Sequence, residues 1–448
     1  MRRITHNSLF FVMALFTVTL AINSCTQNWP QFRGPEANMI AAGKNLPSEW
    51  GEDNNIRWTY EVNGEGWSSP VVWGNKVIVA TAFPEKVTPP PERNRDTPPT
   101  EPADEKPYLK DIYRWEVTCL DLESGEEIWK RVAHTGNPRI RKHRATNYAS
   151  ETPVTDGKRL YVYFGMTGLY CYDLDGELLW SKDLGAYATL NGWGTGSSPV
   201  VYKDVLYVQV DNEEQSFLVA LDSETGEEKW KVVRDEKTNY STPLIWKNGI
   251  RTELVTGGKM VRSYDPATGE LHWELFAAGH YIIPSAVADK NHLFIGNAGF
   301  RDTPGTFFAV KAGAEGDITP AEGELVSSGV VWSNMNAPTG NPSPLLYNGL
   351  LYILSSRGGN ISCLDASSGK VIYKEKVEKV GACWASPWLH EDKIYFFDEK
   401  GVTSVIKAGR DFELLHQNTL DDKFWASVAI TGDTYIIKGV EKMYCIGK

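Results

Sequence analysis

The stretch ALDSETGEEKW at 220–230 decides the fold. Asp222 ends an apolar run and can accept hydrogen bonds from the backbone ahead of it, Gly226 suits a positive-φ position, and Trp230 closes the next strand. This is a β-hairpin. It returns as CLDLESGEEIW (119–129), CYDLDGELLW (171–180), SYDPATGELHW (263–273) and CLDASSGKVIY (363–373). A supersecondary unit recurring at roughly 40 to 50 residues is the signature of a repeat array.

What precedes each phrase repeats too: a Ser/Thr-Pro step, a short apolar strand, a turn with Gly, Asn or Asp, and a second strand rich in Val, Ile and Tyr. SSPVVWGNKVIVA (68–80), TPVTDGKRLYVYFG (152–165), SSPVVYKDVLYVQV (197–210), STPLIWKNGIRTELV (241–255), PSPLLYNGLLYIL (342–354) and ASPWLHEDKIYFF (385–397) align, with PSAVADKNHLFIG (284–296) and ASVAITGDTYIIKG (426–439) as weaker members. Four short antiparallel strands per period make a propeller blade. The pattern predicts an all-β, eight-bladed β-propeller of four-stranded antiparallel blades over residues 55–448. The eighth unit ends at MYCIGK without a closing strand, and NIRWTYEV (55–62) supplies one, so the ring closes through the N-terminal strand.

The phrase Ala-x-Asp-x-x-Thr-Gly-x-x-x-Trp, met by Ala220, Asp222, Thr225, Gly226 and Trp230, resembles the tryptophan-docking motif of quinoprotein (PQQ-type) eight-bladed propellers. The resemblance covers nearly all of the mature chain. It implies that Trp129, Trp180, Trp230 and Trp273, with Tyr373 and Trp58, are structural wedges between blades. NWPQFRGPEAN (28–38), residues 147–165 and the tail also look like PQQ-like repeat lipoproteins of bacteria. In architecture the chain is similar to the assembly lipoprotein propeller of the outer-membrane β-barrel insertion machine.

Residues 1–24 read as a signal peptide: Arg2 and Arg3 precede an uncharged apolar run from Leu9 to Ile22, too short for a membrane span. Ile22-Asn23-Ser24-Cys25 resembles a lipobox, which makes Cys25 a lipidated first residue and 25–54 an anchored N-terminal segment. Removing 1–24 takes away two Arg and no acid, moving the formal charge from −11 to −13. An acidic chain without an extended basic stripe argues against nucleic acid as a partner. Cys119, Cys171, Cys363 and Cys445 occupy one slot in four blades, too far apart for disulfides, and read as small buried residues; Cys383 stands alone. No spaced Cys/His set points to a metal.

Two departures from blade regularity stand out. Residues 84–112 interrupt blade one with eight of the chain's 24 prolines and read as a PPII-like surface excursion, neither strand nor helix. The connection HTGNPRIRKHRATNYAS (134–150) carries the one concentrated run of positive charge. Both emerge on one face of the ring, at the channel mouth. Aromatics recur there as well. Trp67, Tyr240, Tyr281 and Trp384 stand three residues before a Pro, Trp425 holds the same slot before Val428, and Tyr148 and Trp193 are displaced from it. With His143 and Arg144 these are the candidate ligand-binding residues, a broken aromatic collar beside a basic loop; the competing expectation is that they are further wedges.

These observations favour a non-catalytic envelope lipoprotein, lipid-anchored at the outer membrane and monomeric. It would act as a protein-interaction scaffold or as a binding module for a glycan or small anionic ligand. No cofactor is expected and no catalytic residue stands out. The alternative the resemblance implies is a PQQ-dependent alcohol or sugar dehydrogenase, with quinone and Ca²⁺ over the channel, an Asp base and, in many members, a disulfide platform of adjacent cysteines. This chain has no adjacent cysteine pair.

Overall fold

The computed structural model describes residues 28–64, 66–86, 111–277, 282–297, 299–300, 303–336 and 339–448. The leader, Cys25, Tyr281 and residues 87–110 of the Pro-rich stretch therefore lie outside the described residues. Eight four-stranded antiparallel blades follow one another over residues 71–136, 154–182, 200–234, 244–276, 287–334, 345–376, 388–419 and 429–447. Strand Ile56–Glu61 pairs antiparallel with the last strand, Lys442–Gly447, and closes blade eight as expected. No helix among the described residues is long and apolar enough to cross a membrane.

The second and third strands of each blade are buried on both faces, as VLYVQV at Val205–Val210 and SFLVALD at Ser216–Asp222 illustrate. Blades pack face to face, so both sides of these strands meet a neighbour and the sequence is nearly continuous in apolar residues. Outer strands such as Glu228–Arg234 are covered only partly.

The repeated hairpin builds the seams. Asp222 accepts from the amides of Glu224 and Thr225, and Gly226 turns the chain at φ +73°. A side chain on Gly226 is excluded a second way, because its Cβ would sit 2.8 Å from the Trp180 ring of the preceding blade. Trp58, Trp129 and Trp230 cover Gly125, Gly176 and Gly269 in the same manner. Trp332 covers Gly369 and donates to the Ala366 carbonyl at 2.9 Å, a docking residue that the sequence reading did not pick out. Trp273 is fully buried in the cluster that holds Ala314 and Ile318, but its indole N–H donates to Glu253 of its own blade at 2.7 Å. Tyr373 meets Phe412, ring centroids 5.8 Å apart. The four slot-equivalent cysteines and Cys383 are buried and unpaired.

The Ser/Thr-Pro step has a physical role beyond its strand. The Ser69 amide donates to the Thr152 hydroxyl at 3.1 Å, Thr152 to Ser198 at 2.9 Å, and Ser198 to Thr242 at 3.0 Å. Thr242 donates to Ser285 at 2.9 Å, Ser285 to Ser343 at 3.0 Å, and Ser343 to Ser386 at 3.2 Å. Ser386 donates to Ser427 at 3.0 Å and Ser427 returns to Ser69 at 3.1 Å, closing a belt of eight bonds around the channel. In blade five the belt residue is Ser285, so Ala286 rather than Pro284 matches Pro70.

One mouth of the channel is filled. Residues 28–50 run across the side where first and second strands turn. Asn28 accepts from the Gly74 amide at 2.8 Å, Trp29 bridges Val72, and the Thr155 amide donates to the Pro30 carbonyl at 2.9 Å. Ile40–Ala41 adds as a parallel strand to Trp388–His390, the innermost strand of blade seven. Arg33, 1% exposed, reaches into the channel and donates to the carbonyls of Ala286 and Pro344 at 2.8 and 2.9 Å. Burial without a carboxylate partner pulls its pKa down to about 9. Nothing periodic marks this segment as a stopper.

The Pro-rich stretch differs from expectation at its ends. The second strand of blade one runs Lys76–Lys86, with Pro84 opposite Tyr113 and Lys86 opposite Ile112, so this hairpin extends above its neighbours. Pro84 is tolerated at the irregular end of the pairing, where a bulge breaks the ladder.

Candidate functional site

With one mouth stoppered, the candidate site is the opposite face, where each blade passes to the next and where second and third strands turn. Two half-buried indoles, Trp67 and Trp425, meet edge to face at 4.9 Å across the blade eight to blade one seam. His143 and Trp193 lie ring against ring at 4.0 Å, joining the blade one–two connection to the blade two–three connection. Trp384 donates to Glu399 at 3.0 Å. Trp193 and Trp384 are 36% and 38% exposed, and no other tryptophan among the described residues exposes as much.

The other collar candidates are placed differently. Tyr148 is 9% exposed, donates to the Ile140 carbonyl at 3.0 Å and packs edge-on to Tyr113 at 5.0 Å. Tyr240 is half-buried over Gly196, and Arg144 is exposed. The aromatics thus fall into two ring pairs and single residues, not one continuous collar.

The basic loop is only partly free. One guanidinium nitrogen of Arg139 donates to both carboxylate oxygens of Asp183 at 2.8 and 3.0 Å, and Lys142 donates to the Thr146 carbonyl at 2.9 Å. Arg141 and Arg144 make no hydrogen bond or ion pair among the described residues.

Sequence reasoning missed the buried ionisable groups beneath this face. Glu151, beside belt residue Thr152, accepts from the Thr195 hydroxyl and has no cation among its partners. Burial pushes its pKa up to about 7. Lys438 donates to the Gly66 carbonyl, is 2% exposed, and burial pulls its pKa down to about 7. Between blades three and four, Arg234 grips Asp211 with both side chains fully buried, bonds of 2.9 and 3.1 Å, and Tyr264 and Thr256 complete the shell. Burial opposes that charge; Asp211 outweighs it and holds Arg234 protonated. The signal for Glu151 was legible as a carboxylate next to a Thr-Pro step, where other blades carry Ser, Ala or Pro.

Two carboxylates near the face are engaged by backbone amides: Asp398 accepts from Gly381, Lys400 and Val402, and Asp422 from Val440, Glu441 and Lys442. No three His, Cys, Asp or Glu converge among the described residues. Cys383 is a lone buried thiol, its pKa pushed up to about 12 by desolvation.

Blade count, docking hairpins and ring closure define an eight-bladed β-propeller. Within it, residues 114–280 match the family model described as outer membrane protein assembly factor BamB, PQQ_2. Among solved structures, a europium-containing methanol dehydrogenase is 11% identical, covering 94% of this chain and 89% of its own, with a TM-score of 0.58. Quinohemoprotein alcohol dehydrogenase from Comamonas testosteroni is 12% identical over 94% and 80%, with a TM-score of 0.59. BamB from Moraxella catarrhalis is 14% identical over 66% and 80%, with a TM-score of 0.46. At these identities the likeness is one of fold. No curated protein matches the chain by sequence.

Proposed function

We propose that the protein is a non-catalytic, envelope-associated scaffold that holds a protein partner on its open face, anchored to the outer membrane through an acylated Cys25. The observation that supports this most is the asymmetry of the ring: the N-terminal segment fills one mouth, and the exposed indoles of Trp193 and Trp384 stand at the other. Tryptophan is enriched among the residues that carry the affinity of protein interfaces. The match to an outer-membrane assembly factor and the leader with its lipobox favour the envelope. Asn28 is held at the stoppered face, and the three residues back to Cys25 reach at most about 10 Å. A lipid there turns the open face away from the membrane. Rigidity suits a scaffold, and the hydroxyl belt and the stopper supply it.

No quinone is part of this reading; added PQQ and Ca²⁺ are expected to leave an acceptor dye unreduced with alcohols and sugars. The scaffold itself is tested by capture from detergent-solubilised envelopes, comparing wild type with the W193A/W384A pair and with Lys203→Glu on the stoppered face. A specific partner lost only with the indole pair supports the reading. A partner lost only with Lys203→Glu overturns it.

A further inference from the structure

On the open face, between the tall hairpin of blade one and the basic connection, lies a pocket lined by Gly64, Phe83, Pro84, Tyr113, Lys142 and Asn147, with Tyr148 beneath. Most of its wall is aromatic or apolar. Two polar groups differ. Asn147 is 4% exposed; its side-chain oxygen accepts from the Ala149 amide at 2.8 Å and the Ser150 hydroxyl at 3.4 Å, while its Nδ2 has no partner among the described residues. A buried amide donor left unengaged costs about 1–3 kcal/mol, and Asn147 is one of the residues that line this pocket. Lys142 stands at the wall, its ammonium 6.0 Å from the Tyr148 ring centroid and bonded to one carbonyl, leaving two of its three donors without a partner among the described residues.

Among the described residues, the charges around the pocket that lack an ion-pair partner are cations. Arg141 and Arg144 flank Lys142 without carboxylate partners among the described residues. Asp183 is engaged by Arg139, and Glu85, on the hairpin, by Arg114 at 2.7 Å. An apolar pocket with a few convergent donors is the usual form of a small-ligand site. Here both donors call for oxygen acceptors, and the cation for an anion. The Phe83 ring, half-buried, and the exposed Pro84 offer faces for a saturated ring.

We propose that this pocket binds an acidic sugar: a pyranose ring against Phe83 and Pro84, its carboxylate on Lys142, and a ring or hydroxyl oxygen on Asn147 Nδ2. The site rests on the open face being the working face, but it needs neither Trp193 nor Trp384.

Isothermal titration of the full chain with glucuronate and galacturonate, with glucose and benzoate as controls, tests it. The uronates are expected to bind, glucose at least tenfold more weakly for want of the charge, and benzoate at least tenfold more weakly for want of hydroxyls, because one charge-assisted bond is worth about tenfold or more. Asn147→Asp keeps the acceptor used by Ala149 and Ser150 but replaces the donors with negative charge. It should weaken uronate binding at least tenfold with little change in melting temperature, as should Lys142→Met. Uronate affinity unchanged in Asn147→Asp, benzoate binding as tightly as glucuronate, or no uronate binding to a folded wild type would each overturn the site. The W193A/W384A pair is expected to keep uronate affinity while losing the protein partner, so the two readings can fail separately.

Discussion

Five seams of the ring and the other three are held by different physics. Between blades eight and one, one and two, two and three, three and four, and five and six, an indole from one blade covers the hairpin glycine of the next. Between blades seven and eight the wedge comes from outside the repeat: Trp50 of the N-terminal segment lies 6.0 Å from Tyr395 and 5.6 Å from Tyr435, and Trp388 packs on both tyrosines. Between four and five, Trp273 turns inward to Glu253, which also accepts from Asn248, Arg251 and Ser263, and Ile250 covers Gly313. Between six and seven, Tyr373 meets Phe412, and the Tyr352 hydroxyl accepts from the Gly409 amide at 2.8 Å. A repeat array needs the same buried area at every seam but not the same residues, and where the hairpin phrase decays another element fills the gap.

The largest effect should come from the substitute wedge. Trp50→Ala removes a 5%-exposed indole that no neighbouring repeat can replace, and a loss of about 3–5 kcal/mol is expected by calorimetry. Trp230→Ala, at a half-buried regular wedge, should cost less; the reverse order would break the distinction between the two kinds of seam. Next comes the polar wedge: Trp273→Phe keeps most of the packing but leaves Glu253 short of a donor, for about 1–3 kcal/mol. If Trp273→Phe is neutral, Glu253 is not what holds that seam.

The hydroxyl belt runs through both kinds of seam alike. Ser285→Ala and Ser198→Ala should each cost about 1 kcal/mol, read as equal shifts of denaturant midpoint. A cost confined to one of them would mean that the belt is not a uniform element.

The last signature is one of pH, from Glu151 at the entry to blade two and Lys438 in blade eight. Glu151 keeps its proton in the folded state up to about 7 against its usual 4.5, so the folded protein binds the extra proton and stability falls as pH rises through that window. Lys438 loses its proton in the folded state near 7 against its usual 10.5, so the unfolded chain binds the extra proton and stability rises from about pH 7 upward. Together they set a local minimum near neutrality. Glu151→Gln should flatten the acid limb and Lys438→Met the alkaline limb in melts across pH 5–10. Unchanged limbs would mean that solvent reaches these groups.

Much of the fold was legible because it is local. Asp, Gly and Trp at fixed offsets specify a hairpin and its wedge within eleven residues, so Trp129, Trp180 and Trp230 could be read directly. Trp332 escaped because residues 312–329 separate its strand from the preceding one and destroy the phrase. The Ser/Thr-Pro step was visible as a pattern, but the hydroxyl's partner is an amide one blade away, and no local rule supplies that pairing. The stopper was illegible for the same reason: Arg33 and Trp50 act on residues hundreds of positions distant through a segment without period. At the candidate site the aromatics were found by spacing, but Tyr148 turned inward because Tyr113, on the extended hairpin, offers it a partner.

On the proposed reading, the mouth opposite the stopper is the working face. A photoreactive amino acid placed at Trp384 on that face, and separately at Lys203 on the stoppered face, tests it in intact envelopes after irradiation. A discrete crosslinked protein adduct is expected from position 384 and none from position 203. An adduct from 203 with none from 384 would contradict it.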